Sequence, residues 1–327
     1  MGRLSATPRR KPLLGAVLVL AAVLLLWRTG GVILRPGRGW GGGRPASVRA
    51  GSAAPASPGA ESAEGRAGGA IAAAGGPATG LAAGPLAPAS SQPSARRLRV
   101  KVLSVRPHDP TAYTQGLVWF RGLLYESAGL YDSSSLREVD AATGEVRRRL
   151  QVPPGFFAEG LAQVDDRLVQ LTWKEGVAFV YGIKSFERVG EFHYQGEGWG
   201  LCNDGRRLVM SDGSDRLTFR DPKSFARLGE VRVRLDGRPL DRLNELECVG
   251  GSVYANVWTT EDIVRIDPAS GEVSELIDAS GLLGQSEKDE GAEVLNGIAY
   301  DPESRTFLIT GKLWPKLFEV QFVPKGS

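Results

Sequence analysis

The sequence has few of the residues that hydrolytic and metal-dependent active sites use most, because its 327 residues include only two histidines and two cysteines. His108 lies in a proline-rich turn and His193 on a predicted outer strand, so we interpret both as structural or solvent-exposed. The chain contains no G-x-S-x-G, H-E-x-x-H, P-loop or zinc-like Cys/His spacing. These absences argue against a Ser-His-Asp hydrolase, a zinc enzyme and a P-loop nucleotidase.

Acidic residues are nearly absent from the first 97 residues, which hold only Glu61 and Glu64 beside twelve lysines and arginines. Residues 98–327 therefore carry 28 basic and 35 acidic side chains, although the whole chain has a formal charge of +3. A net negative folded part argues against binding nucleic acid or an anionic membrane surface through that part.

Long apolar runs are also scarce, and one of them lies near the N-terminus. Residues 13–27 are uniformly apolar and follow a basic segment, and residues 31–34 can extend the run past Arg28. No small-residue cleavage motif follows closely. We predict an uncleaved signal anchor over residues 1–35, attached to the membrane through residues 13–34, with a cleaved signal peptide as the alternative. Either one exports the protein to the periplasm or another extracytoplasmic face.

Aromatic residues are almost missing from residues 36–97, which are dominated by Ala, Gly, Pro and Ser. Such a segment cannot bury enough apolar surface to offset its ordering entropy, so we predict a disordered linker. The remaining residues, 98–325, are long enough for one large all-β domain.

The two cysteines, Cys202 and Cys248, would be free to form a disulfide after export. The sequence alone does not show whether these two cysteines are close in space. It favours two buried free thiols on inner strands and leaves the disulfide open.

A repeat of about 40 to 52 residues organises the domain, the length of a four-stranded propeller blade. It recurs at residues 113–117, 157–161, 198–201, 244–247 and 296–299. A short apolar strand and an alternating strand follow each copy, and an outer strand follows the first four, as at 230–235. The fifth copy lacks its outer strand, and residues 98–106 alternate as a strand before the first copy. We predict a five-bladed β-propeller whose N-terminal strand closes the last blade, with residues 279–293 as a flap over one face.

Polar and aromatic residues replace packing residues where the innermost strands begin and the second strands end. In a propeller these positions converge on the central channel, so they predict a narrow pocket with a polar floor and aromatic walls. The predicted residues at or beside the strand starts are Tyr113, Gln115, Glu159, Trp199, Asn203, Asn244, Glu245, Glu247 and Asn296, and those after the second strands are Trp173, Trp258 and Lys312.

The motifs at these positions resemble the plant and bacterial type of glutaminyl cyclase, also called glutamine cyclotransferase. The resemblance spans about residues 98–323 and rests on Pro-His-Asp-Pro-x-Ala-Tyr-Thr-Gln-Gly-Leu (107–117), Phe-Ala-Glu-Gly-Leu (157–161), Glu-Gly-Trp-Gly-Leu (197–201), Leu-Asn-Glu-Leu-Glu (243–247), Asn-Val-Trp (256–258) and Leu-Asn-Gly-Ile-Ala (295–299). One departure is Asp132, where relatives usually carry glycine. We therefore assign no substrate contact to the Tyr131-Asp132-Ser133 loop.

The resemblance implies a five-bladed propeller that converts the N-terminal glutamine of peptides or proteins to pyroglutamate without a metal or other cofactor. The family's active-site pattern matches Tyr113, Gln115, Glu159, Trp173, Trp199, Trp258 and Lys312. We predict Glu159 as proton shuttle and Gln115, Lys312 or an indole N–H as oxyanion donors. Tyr113, the three tryptophans, Asn244, Glu245, Glu247 and Asn296 are the predicted substrate-binding residues. We expect a monomer.

Two other functions fit the same pattern. A calcium-dependent propeller lactonase would place Glu159, Asn203, Asn244 and Asn296 around the ion. A non-enzymatic exported propeller would use the aromatic pocket to bind peptides.

Overall fold

The computed structural model describes residues 94–326, and these residues form an all-β, propeller-like fold. The predicted signal anchor and most of the predicted linker lie outside the described residues. Within residues 94–326, no helix has the length and hydropathy needed to cross a membrane.

Three four-stranded antiparallel sheets follow one another along the chain, each built from consecutive strands. The first contains β2 (Thr114–Phe120), β3 (Leu123–Ala128), β4 (Ser135–Val139) and β5 (Val146–Gln151). The second contains β6 (Ala158–Val164), β7 (Arg167–Thr172), β8 (Val177–Gly182) and β9 (Arg188–His193). The third contains β10 (Leu201–Asn203), β11 (Leu208–Ser211), β12 (Arg216–Arg220) and β13 (Arg227–Arg232). The outer strand of the third sheet therefore begins and ends three residues before the predicted 230–235, and the chain then turns into a small hairpin, β14 (Arg234–Leu235) and β15 (Arg238–Pro239).

An eight-stranded sheet completes the fold and consists of two antiparallel groups of four strands. One group contains β16 (Leu243–Val249), β17 (Ser252–Val257), β18 (Asp262–Ile266) and β19 (Val273–Asp278). The other contains β20 (Leu295–Asp301), β21 (Thr306–Gly311), β22 (Lys316–Pro324) and β1 (Arg96–Pro107). The predicted flap between β19 and β20 holds the short helix α1 (Gln285–Asp289), which is tied down by ion pairs from Lys288 to Glu261 and from Lys316 to Glu287.

The N-terminal strand supplies the fourth strand that the last group lacks. β1 pairs antiparallel with β22 over most of its length and pairs parallel with the end of β19 through residues 96–99. This confirms the predicted pairing of the first strand with the last repeat, although the strand begins two residues earlier than predicted. Residues from the two ends of the domain therefore hold each other in place.

The first strands of the five four-stranded groups lie side by side in cyclic order, β2, β6, β10, β16, β20 and again β2. Glycines at the strand starts allow this approach. A Cβ on Gly200 would lie 2.0 Å from the carbonyl oxygen of Asn244, and one on Gly160 would lie 2.6 Å from the amide nitrogen of Leu201. Apolar side chains fill the space between neighbouring sheets. The starts of strands that are far apart in sequence therefore meet.

Cys202 and Cys248 form a disulfide, with their Cα atoms 5.5 Å apart. The sequence-based preference for two free thiols was wrong. Cys202 lies on β10 and Cys248 on β16, and these first strands are neighbours. Two residues 46 positions apart thus come within bonding distance.

Candidate active site

A chain of hydrogen-bonded side chains crosses the starts of three first strands. The Gln115 Nε2 donates to Glu159 Oε1 at 3.0 Å, and Asn296 Nδ2 donates to Gln115 Oε1 at 3.2 Å. Asn296 Nδ2 also donates to the carbonyl of Thr114 at 3.0 Å, which fixes its orientation. All three side chains are buried. The structure therefore brings together two of the predicted catalytic residues, Gln115 and Glu159.

Glu159 and Lys312 are a buried acid and base whose proton affinities are shifted toward each other. Burial raises the pKa of Glu159 well above its ordinary value; Lys312 opposes this shift, and Glu197 and Glu175 add to it. Burial lowers the pKa of Lys312, against the attraction of Glu159 and Glu293. A carboxyl group that binds a proton more readily than usual and an amine that releases one more readily than usual are suited to exchange protons.

Lys312 is held by the turn that follows β21. Its backbone N–H donates to the carbonyl of Val294 at 3.0 Å, and the N–H of Leu313 donates to the carbonyl of Ala112 at 2.7 Å. The Nζ atom lies 4.8 Å from the centroid of the Tyr113 ring. The positive charge of Lys312 is attracted to the carboxyl groups of Glu159 and Glu293.

The three predicted tryptophans line the site, and one carboxylate fixes two of them. The indole N–H groups of Trp173 and Trp199 both donate to Glu197 Oε2, at 2.8 and 3.0 Å. Trp199 in turn packs edge-on against Trp258 with ring centroids 5.5 Å apart. Sequence analysis missed Glu197, although it belongs to the same Glu-Gly-Trp-Gly motif that identified Trp199.

A continuous row of aromatic rings forms another wall. Phe157 is its centre and makes edge-to-face contacts with Tyr113, Tyr131 and Trp173, at centroid distances of 6.2, 5.3 and 5.7 Å. Glu175 closes the row, because it accepts hydrogen bonds from the Tyr131 hydroxyl and the Phe157 N–H. Phe157, Tyr131 and Glu175 were not predicted as site residues.

Three buried amides near the strand starts each have one atom without a hydrogen-bond partner among the described residues. These atoms are Asn244 Oδ1, Asn256 Nδ2 and Asn296 Oδ1. A buried amide atom without a hydrogen bond lowers the stability of the fold unless a ligand or water bonds to it. Two of the three are acceptors, which suits a ligand rich in N–H groups.

Glu245 and Glu247 were predicted to bind substrate, but the hydrogen bonds they accept come from the protein backbone. Glu245 accepts the backbone N–H groups of Leu117 and Ile298, at 3.2 and 2.8 Å, and Glu247 accepts that of Tyr300 at 2.9 Å. Burial raises the pKa of Glu245 well above the ordinary value and that of Glu247 to about 8, against these hydrogen bonds. Glu245 therefore ties β16 to β2 and β20, and Glu247 ties β16 to β20.

Asn203 does not join the site, contrary to prediction. β10 is only three residues long, so Asn203 lies at its far end. There its Nδ2 donates to the carbonyl of Gln163, and its Oδ1 accepts the N–H of Gly205. The calcium set proposed for a lactonase thus loses one member. In the described part of the chain, no three His, Cys, Asp or Glu side chains cluster in a way that could hold a metal ion.

Comparisons with known proteins cover this pocket. A family model described as glutamine cyclotransferase matches residues 77–322. A glutaminyl-peptide cyclotransferase of Arabidopsis thaliana is 40% identical over 228 residues, which cover 68% of this chain and 71% of that protein. The crystal structure of Myxococcus xanthus glutaminyl cyclase matches with a TM-score of 0.65 and 40% identity, covering 71% of this chain and 100% of the other. The family match runs past both Tyr113 and Lys312, so it includes the whole pocket.

Proposed function

The chain belongs to the glutamine cyclotransferase family, and from that premise we propose how its pocket carries out the reaction. The protein is a glutaminyl-peptide cyclotransferase that converts the N-terminal glutamine of peptides or proteins to pyroglutamate and releases ammonia. The nitrogen of the α-amine forms a bond to the side-chain carboxamide carbon. The bond from that carbon to the side-chain nitrogen breaks, and the nitrogen leaves as ammonia.

Proton transfer requires one group that first accepts and then returns a proton, which balances the reaction without a co-reactant. The attacking amine must lose a proton, and the departing nitrogen must gain one. We assign both steps to Glu159, because its raised pKa lets the carboxyl group serve as base and then as acid. Gln115 holds the carboxylate in place through the hydrogen bond to Oε1. This buried, oriented carboxyl group beside Lys312 is the observation that carries the proposal.

Lys312 is the strongest candidate donor to the oxyanion that develops on the carboxamide oxygen. Gln115 and two of the three indoles, the other predicted donors, already bond elsewhere: Glu197 accepts the indole N–H groups of Trp173 and Trp199, and Glu159 accepts the Gln115 amide N–H. A fixed cation in a water-poor site stabilises such a charge far better than it would in water.

The walls and floor hold the glutamine in the conformation that cyclises. Both reacting groups belong to one residue, so restricting its side chain supplies much of the rate enhancement. The rings of Trp173, Trp199 and Trp258 provide apolar contact for the methylene groups. The unpaired Oδ1 atoms of Asn244 and Asn296 are suited to accept N–H groups of the substrate.

The architecture proposed for this function is a five-bladed propeller. The five four-stranded groups correspond to the five sequence repeats, and their first strands neighbour each other in cyclic order. β1 acts as the closing strand of the last blade. The pocket then opens at one end of the central channel.

Location and assembly are proposals from the sequence. Residues 13–34 anchor the protein in the membrane, residues 36–93 tether the domain on the extracytoplasmic face, and the enzyme works as a monomer without a metal ion. Alkaline extraction of membranes tests the anchor: the full chain should stay with the membrane pellet. Recovery in the soluble fraction at its full mass would contradict it.

The direct test of the proposed function is the substitution Glu159→Gln. With a synthetic Gln-initiated peptide and EDTA present, we expect the wild-type protein to release ammonia and the variant to lose about 10²- to 10⁴-fold in kcat. Glu319→Gln, on β22 and bonded to Ser104 and Arg106, is the matched control and should keep activity. A folded Glu159→Gln variant with near wild-type turnover would exclude Glu159 as the shuttle, and loss of wild-type activity in EDTA would contradict metal independence.

A further inference from the structure

We propose that Tyr131, with Phe157 and Glu175, forms a subsite for the residue that follows the glutamine, and that this subsite favours an aromatic or large apolar side chain. The inference rests on the proposed function, because it places the glutamine itself in the pocket of Glu159. It reverses the expectation from sequence that the loop of Tyr131 makes no substrate contact.

Tyr131 differs from its aromatic neighbours in its exposure to solvent. It is 43% exposed, whereas Phe157, the ring beside it, and Trp173, which packs against Phe157, are almost fully buried. Other exposed large apolar residues of the described chain lie on outer strands β1, β9 and β13, away from the strand starts. Tyr131 therefore presents an aromatic surface to solvent next to the buried ring of Phe157.

The backbone on both sides of Tyr131 is held in an unfavourable conformation. Leu130 has a φ of 92° and Asp132 a φ of 65°, both in the left-handed region that non-glycine residues rarely adopt. Such strain costs about 1–3 kcal/mol per residue and persists only where surrounding contacts enforce it. The loop thus keeps a strained backbone conformation that fixes the position of Tyr131.

Local contacts hold the loop of Tyr131 in this conformation. The Ser134 hydroxyl donates to the carbonyl of Leu130 at 2.7 Å, and the N–H of Gly129 donates to the carbonyl of Tyr113 at 2.8 Å. A Cβ on Gly129 would lie 2.5 Å from the Phe157 ring, so the loop lies directly on that ring. The Tyr131 hydroxyl is fixed by Glu175 Oε1 at 3.0 Å.

Continuity with the pocket identifies the occupant. The aromatic row leads from Tyr113, beside Lys312, through Phe157 to Tyr131. A glutamine whose side chain reaches the Glu159–Lys312 pair must send its peptide chain outward past these rings. The first side chain after the glutamine then meets the exposed ring of Tyr131. Glu175 accepts the Tyr131 hydroxyl and the Phe157 N–H, so both of its carboxylate oxygens are already hydrogen-bonded within the protein.

The test compares kcat/KM for two peptides, Gln-Phe-Ala and Gln-Gly-Ala, in the full-length protein and its variants. We expect the wild-type protein to favour the phenylalanine peptide and Tyr131→Ala to reduce that ratio by about 3- to 10-fold, the size of one aromatic contact. The change should come from KM, since this contact is equal in the ground and transition states. Tyr131→Phe, which keeps the ring, should retain the preference, and Val189→Ala, on outer strand β9, should leave the ratio unchanged.

The outcomes separate the two proposals. If the wild-type protein releases ammonia from neither peptide, the proposed function fails. If it cyclises both with equal efficiency, or if folded Tyr131→Ala keeps the full preference, the enzyme stands and the subsite is overturned.

Discussion

At the scale of single residues, the charge around Glu159 decides its readiness to carry a proton. Glu197 serves twice here: its Oε2 atom fixes the two indoles, and its negative charge helps to raise the pKa of Glu159. Lys312 acts in the opposite sense on the same carboxyl group. These two neighbours should therefore move the pH dependence of the enzyme in opposite directions.

We predict that Glu197→Gln shifts the acidic limb of kcat/KM to lower pH, because removing a negative charge lowers the pKa of Glu159. Lys312→Met should shift the limb to higher pH and also reduce kcat by about 10²- to 10³-fold through loss of the oxyanion donor. The ionisation of the substrate amine is common to all variants, so differences between their pH profiles isolate the enzyme group. Shifts of both variants in the same direction would contradict this assignment.

At the scale of strands, the repeated glycines permit the close packing of the first strands. Gly116, Gly160 and Gly200 each approach the backbone of the next first strand so closely that a Cβ would lie within 2.6 Å of a backbone atom. None of the three has a positive φ. The requirement is therefore space, and any larger side chain would push the strand starts apart.

Gly200→Ala should lower the free energy of unfolding by about 1–3 kcal/mol or more, because its Cβ would overlap the carbonyl oxygen of Asn244. Gly190→Ala on β9 is the control: nothing lies within 4 Å of its Cβ, so we expect a change within about 0.5 kcal/mol. Urea unfolding of both variants measures the difference. Equal midpoints would mean that the first strands tolerate separation.

The turn before β2 is held by a buried His108–Glu126 pair. His108 Nε2 lies 3.0 Å from Glu126 Oε1, and its Nδ1 lies 2.7 Å from the carbonyl oxygen of Trp314. This fits the structural role that the sequence predicted for His108. Burial disfavours the charged ring, but the Glu126 carboxylate and the Trp314 carbonyl together outweigh burial and raise the pKa of His108; Arg137 opposes the rise. The pair joins the segment of Tyr113 and Gln115 to that of Lys312.

A histidine whose pKa is raised on folding stabilises the protein fully below its unfolded pKa of about 6.5, and this stabilisation is lost as pH rises through the folded value. We therefore predict that wild-type stability falls with rising pH above about 6.5, and that His108→Gln removes this slope. Urea midpoints across this range provide the measurement. The same slope in the variant would assign the pH dependence to another group.

At the scale of the whole domain, two links hold the ring of sheets together. β1 joins the beginning of the described chain to its end through pairing with β22. The Cys202–Cys248 disulfide joins the neighbouring first strands β10 and β16 across 46 residues. The first link lies within the eight-stranded sheet, and the second joins that sheet to the third four-stranded sheet.

Replacing both cysteines with serine should lower the free energy of unfolding by about 2–4 kcal/mol, the loss of unfolded-state constraint expected for a loop of this length. Denaturant unfolding of the oxidised wild-type protein and the double variant measures it. Dithiothreitol should move the wild type toward the variant and leave the variant unchanged. Equal midpoints in oxidised wild type and variant would show that strand packing alone holds this seam.

The local pattern of the chain determined much of this protein. Apolar alternation and turn residues predicted the strands, since their period of two follows from backbone geometry. The missing outer strand of the last repeat predicted the pairing of β1. Repeat positions and family motifs selected Gln115, Glu159 and the three tryptophans, because residues at equivalent points in each repeat converge when the repeats form a ring.

Only the tertiary structure decided which of those residues touch. The pairing of Cys202 with Cys248, the hold of Glu197 on two indoles and the backbone contacts of Glu245 join residues whose sequence separation says nothing about their distance. Asn203 left the site because its side chain bonds to the backbone of Gln163 and Gly205 at the end of β10, and Tyr131 joined it because a strained loop holds it there. Hydrogen bonds depend on distances of a few tenths of an ångström, and packing of the whole ring sets those distances.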